Sequence, residues 1–268
     1  MTVPDLELLP DSDGPDVDTS ASLLREHEPD GGYYGCFSGG KDSVALKELA
    51  RVARVKVAWH YNVTTIDPPE LVRFIRDEHR DVEQLRPKHG NFFRRMEAKG
   101  HVPTRRVRWC CDEYKERKPP KGSVMLMGIR AEESAARASG WDEVGIHRNS
   151  NTRTVLPLLQ WDSEFLWDFI RDTGVPVCSL YSKGFKRLGC VGCPLNRQAR
   201  DLEFARWPGF ERQWRRSVKR VWNGRRGTLQ RDGREWFGSS LFGSAEDFWQ
   251  WWLHGRELPN PDQTEMQL

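Results

Sequence analysis

What this sequence lacks narrows its class before any motif is read. It holds no run of 18 or more apolar residues, so no segment is long enough to span a bilayer as a helix. Its first 30 residues show no basic start followed by an apolar stretch, so a secretory leader is not expected and a cytoplasmic protein is. Cysteine is scarce, at six in 268 residues, which argues against a disulfide scaffold in that setting. No cysteine follows Cys193, so residues 194–268 offer no thiol nucleophile. Internal repeats and low-complexity tracts are also missing.

What is present is charge, aromatic mass and glycine in telling places. The net charge of +3 conceals an asymmetry. Residues 1–30 carry nine acidic side chains and one basic one, Arg25, and read as an acidic disordered tail. The remainder, with 41 basic and 30 acidic residues, suits anionic ligands. Twelve Trp and twelve Phe supply a core for one sizeable α/β domain.

The periodicity alternates between strand and helix. Strands are expected at 33–37, 55–61, 81–85, 123–129 and 154–159. Helices are expected at 42–52, 68–79, 91–99 and 162–172, the last capped by Asp162. Strands alternating with helices predict a doubly wound parallel sheet, a Rossmann-like α/β fold. After Cys193 the pattern becomes helical, with Trp207, Phe210, Trp214, Val218 and Val221 on one stripe and a further helix at 244–253. The expected organisation is therefore a tail at 1–30, a nucleotide-binding domain at 31–194, and a basic helical subdomain at 195–268.

Between the first strand and the first helix of this pattern stands Ser38-Gly39-Gly40-Lys41-Asp42-Ser43. Backbone N–H groups at a helix start and the helix dipole favour an anion there. Gly39 and Gly40 allow close backbone approach, Lys41 adds a full positive charge, and Ser38 and Ser43 offer hydroxyls. Asp42 either caps the helix or holds Mg²⁺. The Walker pattern nearly fits from Gly35, but Asp42 stands where its Mg²⁺-binding Ser or Thr belongs.

Four cysteines form a second constellation, Cys110-Cys111 and Cys190-x-x-Cys193. Two pairs of thiolates match the ligand count of zinc or of an iron–sulfur cluster. Adjacent Cys110 and Cys111 suit zinc poorly, since its sites prefer a gap of two to four residues. Gly189 and Gly192 relax the chain around the second pair and Pro194 stiffens its exit. Cys36 and Cys178 read as small core residues.

The loop resembles the PP-loop of the adenine nucleotide α-hydrolase superfamily. Gly128-Ile129-Arg130-Ala131-Glu132-Glu133-Ser134 with Arg137, Pro157-Leu158-Leu159-Gln160-Trp161, Leu180-Tyr181-Ser182-Lys183-Gly184 and Arg187-Leu188-Gly189-Cys190 follow in order. Together they resemble the signatures of the PAPS reductase family over about residues 33–200. That family includes sulfonucleotide reductases and DndC-type proteins of DNA phosphorothioation. The resemblance implies a four-iron four-sulfur cluster on Cys110, Cys111, Cys190 and Cys193, and a nucleotide pocket using Gly128, Arg130, Glu133 and Arg137. Residue chemistry agrees for Arg130: it follows a buried strand's C-terminal end, where α/β sheets bind ligands, and guanidinium suits phosphate. The catalytic candidates are Lys41, Asp42 and Arg130.

The resemblance breaks at one point. Sulfonucleotide reductases attack sulfur with a cysteine near the C-terminus, and none is present here. The thiol then comes from Cys36, from Cys178 or from a donor protein, or the chain is not a reductase. The unaltered loop suits ATP cleaved between its α and β phosphates, with Mg²⁺. Sulfur transfer to an adenylated acceptor, with a sulfur-donor protein as partner, is the leading reading. Reduction of adenylylsulfate or its 3′-phosphorylated form by an external thiol is the second. The third is a nucleotide- and cluster-dependent nucleic-acid-binding module. DNA or RNA enters as a partner through the ten basic residues between Arg206 and Glu235, against three acidic ones. The bland alternative is that the Trp stripe is core and the arginines solvate its outer face.

Overall fold

The computed structural model describes residues 15–133, 140–147, 150–230, 235–236, 238 and 241–254. Among these, six strands form one sheet: β1 (Tyr33–Cys36), β2 (Val57–Asn62), β3 (Glu83–Leu85), β4 (Val124–Leu126), β5 (Val144–His147) and β6 (Thr152–Val155). Their order is β3-β2-β1-β4-β6-β5. β1 pairs in parallel with β2 and β4, and β4 with β6, while β5 runs antiparallel on β6. The parallel interior is buried, as strands covered by helices on both faces require; Val124, Met125 and Leu126 are all core residues. β5 is the departure from the all-parallel expectation. It is a short strand, half-buried except for exposed Ile146, with no apolar run to mark it.

The chain divides into two compact units that interleave along the sequence. The first comprises Met1–Tyr61, Glu78–Glu83 and Lys118–Cys178, and the second Asn62–Asp77, Gln84–Arg117 and Ser179–Leu268. The change of character at residue 194 thus falls inside the second unit. Helices α1 (Val17–Glu26), α2 (Lys41–Ala53) and α5 (Ser163–Thr173) belong to the first unit. Helices α4 (Phe92–Lys99), α6 (Arg200–Arg206), α7 (Pro208–Arg225) and α8 (Ala245–His254) belong to the second, with most of α3 (Pro69–Glu78).

The tail expected at 1–30 is ordered in its second half, which corrects the disorder assignment. Residues 1–14 lie outside the described ones. Asp16 caps α1, its carboxylate accepting from Thr19 N at 2.7 Å. Ser20, Ala21 and Leu24 then form a buried stripe at helical spacing. The stripe is tied down by polar bonds as well: Trp161 Nε1 donates to Ser20 Oγ at 2.9 Å, and the Tyr33 hydroxyl donates to Leu24 O at 2.8 Å. Net charge concealed this helix because its acidic residues occupy the outer face.

In the second unit the aromatic stripe is core. Trp214 is fully buried and donates to Val191 O at 2.9 Å, and Trp252 donates to Pro103 O at 2.9 Å. Leu24 is fully buried, so Leu24→Ala removes its packing and leaves a cavity. The expected loss is about 3 kcal/mol of unfolding free energy in urea titration. An unchanged midpoint would mean that α1 is not docked.

Candidate functional site

The Ser38 to Ser43 loop lies between β1 and α2. β1 ends at Cys36, Gly39 takes φ +72°, and Gly40 stands as N-cap of α2. Gly40 brings no side-chain cap, which leaves the first-turn N–H groups without a carboxylate or hydroxyl cap at that position. Ser43 Oγ stitches the turn, donating to Gly40 O at 2.9 Å and accepting from Ser38 N at 3.2 Å. The loop is therefore preformed with a helix N-terminus at its centre.

Arg130 reaches this loop from the end of β4. Its Nε donates to Asp42 Oδ1 at 2.6 Å, and its Nη1 donates to Glu132 Oε2 at 2.7 Å and to Trp161 O at 3.1 Å. Nη2 reaches Ser163 Oγ at 3.3 Å. With 3% of its side chain exposed, this guanidinium is fixed on four sides. Asp42 also holds Lys41, whose Nζ lies 2.9 Å from Oδ2. Burial pulls the Lys41 ammonium below the usual lysine range, while Asp42 opposes that pull. Gly128 is needed for this approach, because a Cβ there would lie 2.9 Å from the Asp42 carbonyl oxygen.

Glu132 and Ser163 complete the Arg130 clamp and were not singled out from the sequence. Glu132 could have been, as the residue two beyond Arg130; Ser163 offered no signal beyond following the Asp162 cap. Glu133 lies on the same 3₁₀ turn, Ala131–Glu133, whose Glu132 carboxylate accepts from Arg130. Arg137 lies outside the described residues.

The four candidate ligand cysteines all fall in the second unit. Cys110 precedes a π-helical turn, Cys111–Lys115, and Cys193 N closes a turn on Cys190 O at 3.2 Å. The turn is anchored by Val191 N on Ile66 O and by Gly192 N on Glu203 Oε2, at 2.8 and 2.6 Å. Gly192 sits at φ +76°, where a Cβ would collide with Trp214.

All four thiols are free, and they share one electrostatic neighbourhood. The hydrogen bond between Cys110 and Cys111 pushes the Cys110 thiol up, with Cys190 and Cys193 adding to the rise, and pulls Cys111 down. Arg108 Nη2 lies 3.6 Å from Cys111 Sγ. The Lys115 ammonium is shifted upward, by Cys190 first and, against burial, by Asp67, Cys193 and Cys111. Among the described residues, no group of three or more His, Cys, Asp or Glu side chains stands in metal-holding geometry. The donor set nevertheless fits a thiolate-bound group, with four soft sulfurs and two cations to offset their charge. Lys115 was missed in the sequence, although it lies one turn beyond Cys111.

Cys36 and Cys178 are poor substitutes for a reductase thiol. Burial pushes the Cys36 thiol up to about 12, and Cys178 is 1% exposed.

The family model for the phosphoadenosine phosphosulfate reductase domain matches residues 33–196. This chain belongs to that family. An uncharacterised protein of Methanocaldococcus jannaschii is 30% identical to this member over 172 residues, 59% of this chain and 35% of its own length. An adenosine 5′-phosphosulfate reductase of Allochromatium vinosum is 25% identical over 174 residues, 58% of this chain and 64% of that protein. The PAPS reductase-family chain thus spans less than two thirds of either relative. A Candida auris phosphoadenylyl-sulfate reductase, solved with phosphate, overlaps at TM-score 0.49 with 17% identity, covering 64% of this chain and 88% of that one. No helix among the described residues is long and apolar enough to cross a membrane.

Glu203, which anchors the cysteine turn, gives the site a pH signature. Burial raises its carboxyl to about 7, against 4.5 in the unfolded chain. Between those values the folded state holds the extra proton, so this group's contribution to stability falls as pH rises from about 4.5 to about 7. Glu203→Gln is expected to flatten that part of the urea-midpoint profile, and an unaltered slope would remove Glu203 as its source.

Proposed function

We propose that this protein binds ATP at the Ser38 to Ser43 loop and cleaves it between the α and β phosphates to activate an acceptor for sulfur transfer. The observation that carries this is the α2 N-terminus without a side-chain cap, flanked by Lys41 and by an Arg130 clamped at the end of β4. Helix N–H groups and Lys41 receive the β and γ phosphates. Arg130 then stabilises the charge that develops at the α phosphate. For that, Lys41 exchanges its bond to Asp42 for one to phosphate, and Arg130 keeps Asp42 from following it. The acceptor oxygen attacks the α phosphorus, pyrophosphate leaves, and a sulfur nucleophile then displaces AMP. Mg²⁺ would travel with the phosphates, with Asp42 as the loop's own carboxylate for it.

Cys110, Cys111, Cys190 and Cys193 would hold a four-iron four-sulfur cluster, balanced by Lys115 and Arg108. Such a cluster would supply a one-electron or sulfur-positioning function. A second reading, reduction of adenylylsulfate by an external thiol, draws support from the relatives named adenosine 5′-phosphosulfate reductases. Its thiol would come from outside these residues, since Cys178 is buried and burial pushes the Cys36 thiol up to about 12.

Incubation with ATP and Mg²⁺ is expected to release pyrophosphate, and Lys41→Ala to lower the rate at least 100-fold, on the order of one lost charge contact in a desolvated site. Sulfite formed from adenylylsulfate, with no pyrophosphate from ATP, would establish the reductase reading instead. Protein purified without oxygen is expected to be brown; a colourless protein carrying zinc would overturn the cluster assignment.

A further inference from the structure

Arg200 opens α6 and is 2% exposed, a guanidinium taken almost wholly out of water. Burying such a group is costly unless an anion or a full set of acceptors compensates it. Its acceptors are incomplete. Nη1 donates to Trp252 O at 2.9 Å and to Leu253 O, and the guanidinium carbon lies 4.3 Å from the Trp252 ring centroid. Nε and Nη2 are buried and meet no acceptor among the described residues. Glu203, three residues on, gives its oxygens elsewhere, to Gly192 N at 2.6 Å and to Asn196 Nδ2 at 3.3 Å.

The position of Arg200 on its helix places it by the second cysteine pair. Arg200, Glu203 and Phe204 are the buried residues of α6, spaced i, i+3 and i+4 and therefore on one face. That face is seated on the Cys190 to Cys193 turn: Glu203 holds Gly192 N, and a Cβ on Gly192 would lie 3.1 Å from the Phe204 ring. The chain between them is short and bonded, with Asn196 N on Cys193 O at 2.9 Å and Ala199 N on Asn196 O at 3.3 Å. Burial pulls the guanidinium down to about 10 and Arg197 adds to the fall, while Glu203, Cys193 and Asp201 oppose it.

We infer that Arg200 is a positioning residue of the four-cysteine centre, a fixed cation on the side of the second pair that offsets the negative charge of a thiolate-bound group. Lys115 and Arg108 supply charge from the segment of the first pair, and Arg200 supplies it from α6. The inference rests on the reading that Cys110, Cys111, Cys190 and Cys193 hold such a group. Two features favour it over a purely structural arginine. A guanidinium that only pins helices together pairs its buried donors, whereas two of these are left over. The tether to the last-turn carbonyls of α8 fixes the group without neutralising it, because a helix C-terminus carries only about half a charge. Net charge around an iron–sulfur group sets its reduction potential. When one electron enters from an external reductant, with no bond made or broken, a fixed cation favours the reduced form. Arg200 therefore raises the potential.

The test takes the full chain purified without oxygen and titrates it with dithionite and mediator dyes, followed by visible absorbance and electron paramagnetic resonance. Arg200→Met removes the charge and keeps apolar bulk. At the wild-type midpoint its oxidised-to-reduced ratio is expected to rise about tenfold, a potential lower by about 59 mV for one electron. Arg200→Lys restores a cation without the fork and should recover at least about half of that shift. Arg200→Gln makes the same comparison if the Met variant does not fold. An unchanged ratio in a folded, charge-free variant would overturn the inference. So would an Arg200→Lys protein indistinguishable from Arg200→Met, which would make the effect one of shape. A colourless wild-type chain carrying zinc would defeat the iron–sulfur reading by itself, and the charge argument is then read from chelator competition. There Arg200→Met should lose its zinc at about tenfold lower chelator concentration, and equal retention would overturn the inference. A wild-type chain that holds neither metal would overturn both.

Discussion

The carboxylate of Asp42 is the constraint on which the candidate site depends. It sits one residue into α2, bonded on one side to Lys41 and on the other to Arg130. A buried guanidinium is costly unless its charge is compensated and its donors are satisfied. Asp42, Glu132, Ser163 and the Trp161 carbonyl satisfy this one, and so draw the end of β4, the following turn and the start of α5 onto the loop. A residue larger than glycine at 128 would hold β4 away from α2 and open the clamp. The loop thus carries two cations, Lys41 and Arg130, that share the one carboxylate of Asp42.

The second unit obeys a different electrostatic rule. Here the Lys115 cation stands beside sulfur, with Cys190, Cys193 and Cys111 as well as Asp67 raising it. Arg200 is buried, donating to the Trp252 carbonyl at 2.9 Å with its guanidinium over that indole ring. Several of the tail's arginines are spent on structure: Arg206 on Glu70, Arg215 on Glu246 and Arg220 on Glu97. Trp207, Trp214, Trp222, Trp249 and Trp252 are core, so the Trp stripe packs within its own unit as the bland reading expects.

Much of this was legible in the sequence because short-range chemistry dictated it. Asp162 does cap α5, accepting from Phe165 N at 2.8 Å, and Asn91 caps α4. The glycine loop lies between β1 and α2, where strand, turn and helix signals met without competing. What escaped notice depended on contacts distant in sequence. α1 was hidden because acidic composition outweighed a buried stripe of three residues. β5 was hidden because an edge strand needs no continuous apolar run. The grouping of residues 62–77 and 84–117 with the C-terminal helices leaves no local mark, since it arises from packing such as Ser217 on Glu97 and Trp252 on Pro103. Glu132 and Ser163 became visible only once β4 and α5 were placed beside the loop.

The most direct measurement is a double-mutant cycle on Asp42→Asn and Arg130→Lys, read as the dissociation constant for ATP by calorimetry. If Asp42 and Arg130 act as one clamp, the two effects are not additive, and the coupling is at least about 1 kcal/mol, as for contacting charged groups. Additive effects, within about 0.3 kcal/mol, would mean that the two residues act separately and would contradict the account.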